Sequence, residues 1–122
     1  MTRAKIERVR EHRIEMEIVV DAYGPEERAM GWHCYLEDKM AFPFAARARS
    51  EHPISPLIKG EKVEVLGMAP AEVCQSDMFV KIRWNERWMA VPLSQLTALS
   101  ADHDTLEAVA DWHYWISHGY CF

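Results

Sequence analysis

The chain has 122 residues and a mass of 14.2 kDa, and 49% of its residues are hydrophobic, which fits a single domain over residues 1–122. Its 19 acidic residues outnumber 14 lysines and arginines, so the formal net charge is -5. A protein of this charge repels polyphosphates, and we expect no nucleic-acid partner.

The sequence also argues against a membrane protein and a secreted protein. No stretch reaches the roughly 20 consecutive apolar residues that a transmembrane helix needs. Residues 1–12 are charged where a signal peptide would be apolar. The three cysteines form no Cys-x-x-Cys pair, which is typical of reduced thiols: Cys34, Cys74 and Cys121. We therefore expect a cytoplasmic protein without a membrane partner.

A first helix is predicted over Ala4–Ala22. Four apolar residues recur there at helical spacing: Ile6, Val9, Met16 and Val20. The second half of this segment also alternates apolar and acidic residues, which leaves a strand open as an alternative there. Its basic residues are expected to lie on a solvated helix face: Arg3, Lys5, Arg8, Arg10 and Arg13.

A second helix is predicted from Pro25 to about Lys39. Gly24 ends the preceding segment, proline suits a first helical turn, and Glu26 and Glu27 favour the positive end of the helix dipole. One face is predicted to carry Ala29, Met30, His33 and Leu36, with Trp32 and Tyr35 beside it.

From Phe42 onward, prolines and glycines interrupt short β-rich runs and the helical period disappears. We predict four strands and a short helical turn in this order: Phe42–Arg49, Glu61–Leu66, Phe79–Trp84, Trp88–Val91 and the turn Pro92–Leu96. A helical turn before a last strand is common in small SH3-like barrels.

A last helix is predicted from about His103 to Ser117, capped by Ser100–Asp102. Its shared face is predicted to carry Leu106, Val109, Ala110 and His113. The aromatics Trp112, Trp115 and Phe122 are expected to be mainly structural. The complete prediction is an α+β fold, in which a small SH3-like antiparallel β-barrel is flanked by two N-terminal helices and one C-terminal helix.

Adjacent acids mark the end of the second helix. Glu37 and Asp38 lie against the negative end of the helix dipole, where like charge is unfavourable and a cation would be favourable. Lys39 is one such cation and a divalent metal is another. Asp21 has a similar position at the end of the first helix. On position alone, solvated acids remain the alternative to metal ligands.

Calcium takes six to eight oxygen ligands, and the sequence has no EF-hand loop to supply them. A calcium site would therefore be assembled from separated segments and completed by water. Glu72 and Asp77, in the connection Gly67–Met78, are the candidate partners of Glu37 and Asp38.

A competing transition-metal site is open in the C-terminal tail, where His113, His118 and Cys121 could approach one another if the helix ends near Ser117. Packing is the alternative role for this aromatic segment. Signatures of enzymes are absent: the sequence has no glycine-rich phosphate loop, no Gly-x-Ser-x-Gly elbow and no His-Glu-x-x-His motif, so we expect no enzymatic activity.

Six blocks in order resemble a known family: VVDAYGPEERAMGWHCYLED at Val19–Asp38, FPF at Phe42–Phe44, ISPL at Ile54–Leu57, VEVLGMA at Val63–Ala69, AVPLSQL at Ala90–Leu96 and ADWHYW at Ala110–Trp115. The chain thereby resembles the small non-EF-hand calcium-binding protein family typified by CcbP of cyanobacteria. The resemblance implies an acidic protein that binds the calcium ion through surface carboxylates and serves calcium buffering or signalling.

The resemblance makes Glu37 and Asp38 the leading candidate ligands, ahead of Asp21, Glu72 and Asp77. The alternative function is a protein–protein interaction module built on the SH3-like barrel, which would bind an unidentified protein partner without metal. An enzyme ranks last.

Overall fold

The computed structural model of this protein describes residues 7–20 and 22–119. It contains three α-helices, of which the first continues into a π-helical turn: α1 Arg8–Arg13 with the π turn Ile14–Ile18, α2 Pro25–Lys39 and α3 His103–Ser117. The helical interpretation of the first segment is therefore confirmed over Arg8–Ile18, and the alternative strand does not form there.

Five antiparallel strands form one sheet in the order β4-β3-β2-β1-β5. The strands are β1 Phe44–Ala48, β2 Lys62–Met68, β3 Phe79–Trp84, β4 Arg87–Pro92 and β5 Leu96–Ser100. Short 3-10 turns at Ala71–Val73 and Leu93–Gln95 precede β3 and β5. The predicted α+β class and the antiparallel sheet are confirmed.

The sheet is open. Its edges are β4 and β5, and no ladder joins these two strands in the described part of the chain. The expected closure into an SH3-like barrel is thus not confirmed. The hairpin between β3 and β4 turns at Asn85, whose positive φ of 57° is a conformation that asparagine tolerates.

Tryptophans join α2 to α3 in the core. The ring of Trp32 packs edge-on against Trp112, with centroids 5.0 Å apart, and lies 5.5 Å from Trp115. All three side chains are buried, so Trp112 and Trp115 have the structural place that was predicted for them. Phe122 lies outside the described residues. On α2, Ala29, His33 and Leu36 are buried as predicted, whereas Met30 is exposed.

The predicted apolar face of the first helix is wrong at its described positions, and Ile6 lies outside the described residues. Val9, Met16 and Val20 are exposed, Val9 to 78%, and the buried residues are Ile14 and Ile18. The backbone N–H of Val19 donates to the Ile14 carbonyl at 2.9 Å, a π-type bond that inserts one extra residue into the turn. This insertion shifts the helical period on which the predicted face rested.

The predicted face of α3 is also rotated from the observed one. The buried side chains are Thr105, Ala108, Val109, Asp111, Trp112, Tyr114 and Trp115, while Leu106 is exposed. The predicted cap is correct, because Asp102 Oδ1 accepts a hydrogen bond from the Thr105 N–H at 2.8 Å. A fully buried aspartate, Asp111, therefore lies among the apolar residues of this helix.

Candidate metal centre

Glu37 and Asp38 are exposed in the last turn of α2, where the sequence predicted them. Among the described residues, neither carboxylate has a hydrogen bond or an ion pair. Lys39, the expected counter-ion, turns away from both acids and pairs through Nζ with Glu107 and the Tyr35 hydroxyl. The acids at this helix end therefore keep an unneutralised negative charge.

Asp38 lines a cavity of about 400 Å³ between the end of the first helix and α2. The cavity is lined by Glu17, Ile18, Gly31, Cys34, Tyr35, Asp38 and Lys39. Its α2 residues Gly31, Cys34, Tyr35 and Asp38 are at positions i, i+3, i+4 and i+7, so they share one helical face. It contains two carboxylates, Asp38 and Glu17. The sequence pattern gave no indication of Glu17.

A close backbone approach forms one wall of this cavity. A Cβ atom built on Gly31 would lie 2.2 Å from the carbonyl oxygen of Ile18, so only glycine permits the two helices to meet at this distance. The last carbonyls of a helix have no intrahelical partner and carry partial negative charge. The end of the first helix therefore adds carbonyl oxygens to the surroundings of Glu17 and Asp38.

The other predicted ligands lie elsewhere. Glu72 is exposed and lines a second cavity with Glu26 and His33. Asp77 is half-buried, and its Oδ1 accepts a hydrogen bond from the Met78 N–H at 2.8 Å. Burial raises the pKa of Asp77. Asp21 lies outside the described residues. The structure does not bring Glu72 or Asp77 into one ligand group with Glu37 and Asp38.

The ligand atoms of three other residues are close enough for a shared metal. They belong to His103, Asp104 and Glu107 at the start of α3 and lie within 4.8 Å of one another, the one such group within the described ranges. Glu107 is already paired with Lys39 and lies 3.7 Å from Arg13 Nη1. The hydrogen bond from Lys39 lowers the pKa of Glu107. Lys39 and Arg13 therefore already pair with Glu107, the carboxylate that a metal ion at this group would need.

Asp111 is the centre of an ion-pair cluster that the sequence analysis missed. Its carboxylate is 0% exposed and accepts hydrogen bonds from Arg10 Nε at 2.8 Å, from Arg13 Nη2 at 2.7 Å and from the Tyr35 hydroxyl at 2.5 Å. The expectation that Arg10 and Arg13 lie on a solvated helix face is wrong, because both turn inward toward this acid. The cluster connects all three helices.

The charges of this cluster shift the pKa values of its donors. The hydrogen bond to Asp111 raises the pKa of Arg13 above its usual range. Burial, and then the hydrogen bond to Asp111, raise the pKa of Tyr35 to about 12. Tyr35 thus stays protonated as a donor at neutral pH. The Tyr35 hydroxyl also links the cluster to Lys39, because Lys39 Nζ donates a hydrogen bond to it at 2.9 Å.

The competing tail site is only partly described, because Cys121 lies outside the described residues. His113 Nδ1 accepts a hydrogen bond from Arg49 Nη1 at 2.8 Å, and its Nε2 lies 3.4 Å from the Leu93 carbonyl oxygen. Both nitrogens of this ring have protein partners. His118 Nδ1 lies 3.0 Å from the Tyr114 carbonyl oxygen. These contacts favour the packing interpretation of the tail.

His113 should make stability depend on pH. Burial, and then the charge of Arg49, lower the pKa of His113 to about 4, below the ordinary histidine pKa of 6.5. Between pH 4 and pH 6.5, His113 is therefore protonated in the unfolded chain and neutral in the folded chain. The resulting stability is complete above pH 6.5 and disappears as the pH falls toward 4.

We expect the substitution His113→Gln to remove this dependence, since glutamine can still donate to Leu93 but does not titrate. Between pH 7 and pH 4.5 the free energy of unfolding of the parent should fall by about 2 kcal/mol relative to the variant. Urea denaturation at several pH values measures the difference. Parallel profiles for the two proteins would refute the assignment.

The sequence profile of a family described as calcium binding, Calci_bind_CcbP, matches residues 12–116. The chain belongs to the CcbP family of calcium-binding proteins. The resemblance seen in the sequence is thereby confirmed. The crystal structure of Anabaena CcbP is similar at 44% identity, with 100% of both chains covered and a TM-score of 0.87.

A second solved structure, of a calcium binding protein in the calcium-binding form, is also 44% identical to this chain, with 95% of each chain covered and a TM-score of 0.85. The chain matches no curated protein. Among the described helices, none is long and apolar enough to cross a membrane.

Proposed function

We propose that this protein binds calcium at the end of α2. The observation that carries the proposal is the 44% identity to two solved structures, one of them a calcium-binding form, with 95% or more of each chain covered. The exposed, unpaired carboxylates of Glu37 and Asp38 support it from the structure itself. Calcium would neutralise acids that the helix dipole disfavours.

The donor set of the Asp38 cavity fits calcium. Calcium takes oxygen ligands from carboxylates, backbone carbonyls and water, and Glu17, Asp38 and the carbonyls at the end of the first helix are of these types. We propose Asp38 and Glu17 as ligands, with two additional carboxylates: Glu37, the neighbour of Asp38 in sequence, and Asp21, which lies outside the described residues. Asp38 and Glu17 come from two helices, as expected for a site without an EF-hand loop.

Glu72 and Asp77 stay predicted ligands of weaker support. Both belong to the connection between β2 and β3, and neither lines the Asp38 cavity. A second calcium ion near them would have fewer acidic side chains available than the one at Asp38. We therefore assign the main calcium site to the two N-terminal helices.

We extend the proposal to the role of this protein in the cell. We propose a cytoplasmic calcium buffer or calcium-signalling protein with no enzymatic activity, consistent with the family description. The pairing of β5 with β1 after a 3-10 turn supports an SH3-like connectivity for the sheet. A protein partner that responds to calcium would be required for signalling and not for buffering.

Calorimetric titration of Asp38→Asn tests the calcium site. The substitution keeps the size of the side chain and one oxygen but removes its charge, so calcium affinity should fall by about tenfold or more. The calcium-dependent rise in melting temperature should shrink in proportion. The metal-free variant should be slightly more stable, by a few tenths of a kcal/mol, because the unfavourable charge at the helix end is gone.

A matched control is Glu86→Gln, which removes one exposed negative charge from the distant β3–β4 turn. This variant should bind calcium like the parent, which separates a ligand from a general effect of net charge. If Asp38→Asn also titrates like the parent, Asp38 is not a ligand. If the parent itself neither binds calcium nor gains thermal stability from it, the interaction module without metal becomes the better assignment.

A further inference from the structure

Lys39 is a cation in the wall of the Asp38 cavity, but its charge is paired elsewhere. The cavity contains the carboxylates of Glu17 and Asp38, the proposed calcium ligands, and Lys39 lines it beside them. Among the described residues, no ion pair joins Lys39 to either carboxylate. Its Nζ donates to Glu107 on α3 and, at 2.9 Å, to the Tyr35 hydroxyl. The ammonium is therefore held at the contact between α2 and α3.

Glu107 is the anion that keeps Lys39 in this place. The two side chains are 25% and 18% exposed, so their pairing is partly shielded from water and salt. Arg13 is the other basic side chain of α1 and α2 near Glu107, at 3.7 Å, and two of its nitrogens already donate to Asp111. Removing the charge of Glu107 therefore releases Lys39 and leaves Arg13 bound to Asp111.

The Tyr35 hydroxyl cannot replace Glu107 as the partner of the ammonium. Its proton is donated to Asp111 at 2.5 Å, and its oxygen accepts from Lys39. A carboxylate attracts an ammonium by its full charge, whereas a neutral hydroxyl offers only a dipole. Tyr35 also lines the Asp38 cavity, so an ammonium that keeps only this bond stays beside the proposed calcium ligands.

A released ammonium in this cavity lowers calcium affinity in two ways. It repels a divalent cation at short range, and it pairs with the carboxylates that calcium needs. The stem of lysine is flexible, so the ammonium can approach Glu17 or Asp38 once Glu107 no longer holds it. The pair between Lys39 and Glu107 therefore determines how much negative charge the cavity offers to calcium.

We propose that Glu107 is a positioning residue for the calcium site, which holds the Lys39 ammonium away from Glu17 and Asp38 and so keeps both carboxylates available to Ca²⁺. Glu107 does not line the Asp38 cavity and is not itself a ligand. This inference rests on the proposed function and adds α3 to the parts of the fold that set calcium affinity. Through this pair, α3 acts on the site without contributing a ligand.

Calorimetric calcium titration of Glu107→Gln is the first measurement. Glutamine keeps the length of the side chain but not its charge, so calcium affinity should fall by about three- to tenfold. Asp104→Asn is the matched control, because an oxygen of the Asp104 carboxylate lies within 4.8 Å of one of Glu107 and the same charge is removed from nearly the same place. No contact joins Asp104 to Lys39 in the described part of the chain, so this variant should bind calcium to within about twofold of the parent.

Lys39→Gln separates the position of the ammonium from the charge of Glu107. With Lys39→Gln already present there is no ammonium to release, so adding Glu107→Gln should change calcium affinity by less than about twofold. A general effect of net charge, or of weaker packing between α2 and α3, would give the same fall with and without Lys39. An equal fall in both backgrounds would overturn the proposal.

A measurement on the metal-free protein distinguishes failure of this proposal from failure of the proposed function. In metal-free Glu107→Gln, the ¹³C carboxylate signal of Glu17 or Asp38 should shift from its position in the parent, because the ammonium then pairs with that group. The same signals should stay in place in Asp104→Asn. Unchanged signals in Glu107→Gln, or calcium binding by Glu107→Gln like that of the parent, would overturn the proposal. A parent that binds no calcium would overturn the proposed function, and shifted signals would in that case still confirm the release of Lys39.

Discussion

The substitution Asp111→Asn should lower the free energy of unfolding by about 3 kcal/mol, because it leaves two guanidinium groups without their buried counter-ion. Asp111 is fully buried, while the side chains of Arg10 and Arg13 are only 22% and 15% exposed. An asparagine has the same shape, but its NH₂ group would face N–H donors. The loss is therefore electrostatic rather than a consequence of a cavity.

Urea denaturation of the metal-free protein measures this loss, and Asp104→Asn provides the matched control. Asp104 is on the same helix, exposed, and in its first turn, so its removal should cost only the dipole interaction, about 0.3–1 kcal/mol. An Asp111→Asn variant within 1 kcal/mol of the parent would show that the cluster contributes specificity rather than stability.

Local signals in the sequence were sufficient for most of the fold. The start of α2 follows from Gly24 and Pro25, and the start of α3 follows from the cap at Asp102. The hairpin β3–β4 was predicted from its alternating residues and turn. In each case the determining residues are neighbours in sequence, so no tertiary contact was needed to predict the element.

The buried faces of the helices were harder to predict, because they depend on distant partners. Asp111 is buried only because Arg10 and Arg13, 101 and 98 residues away in sequence, reach it from the first helix. An acid between apolar positions of α3, together with two arginines three residues apart, was the available signal. Neither feature alone shows that the charges meet.

The candidate calcium site also combines a residue that local sequence predicts with one that depends on a distant contact. Asp38 was found from its position at a helix end, which is a local property. Glu17 was missed, since its place in the same cavity as Asp38 depends on the contact between Ile18 and Gly31 and on the π turn Ile14–Ile18 to which it belongs. Periodicity places a residue on a helix face but does not say which other helix that face meets.

The contact between Ile18 and Gly31 requires glycine, and replacing Gly31 by alanine has two effects on stability of opposite sign. In an isolated helix, alanine is more favourable than glycine by about 0.8–1 kcal/mol. In this protein an added Cβ would lie 2.2 Å from the Ile18 carbonyl oxygen, and that atom belongs to backbone, which cannot rotate away as a side chain can. Overpacking of this kind costs about 1–3 kcal/mol, and more where backbone must move.

We therefore expect Gly31→Ala to lower the free energy of unfolding by about 2 kcal/mol despite the better helix propensity. The end of the first helix would move away from α2 and carry Glu17 and its carbonyls with it, so calcium affinity should fall as well. Gly67→Ala is the control, because the Cβ added there meets only the Lys81 side chain, at 3.6 Å. Urea denaturation and calcium titration of both variants measure these effects. A Gly31→Ala protein that is as stable as the parent would show that the two helices do not meet at this residue. Normal calcium binding by a destabilised Gly31→Ala variant would show that the first helix is not part of the calcium site.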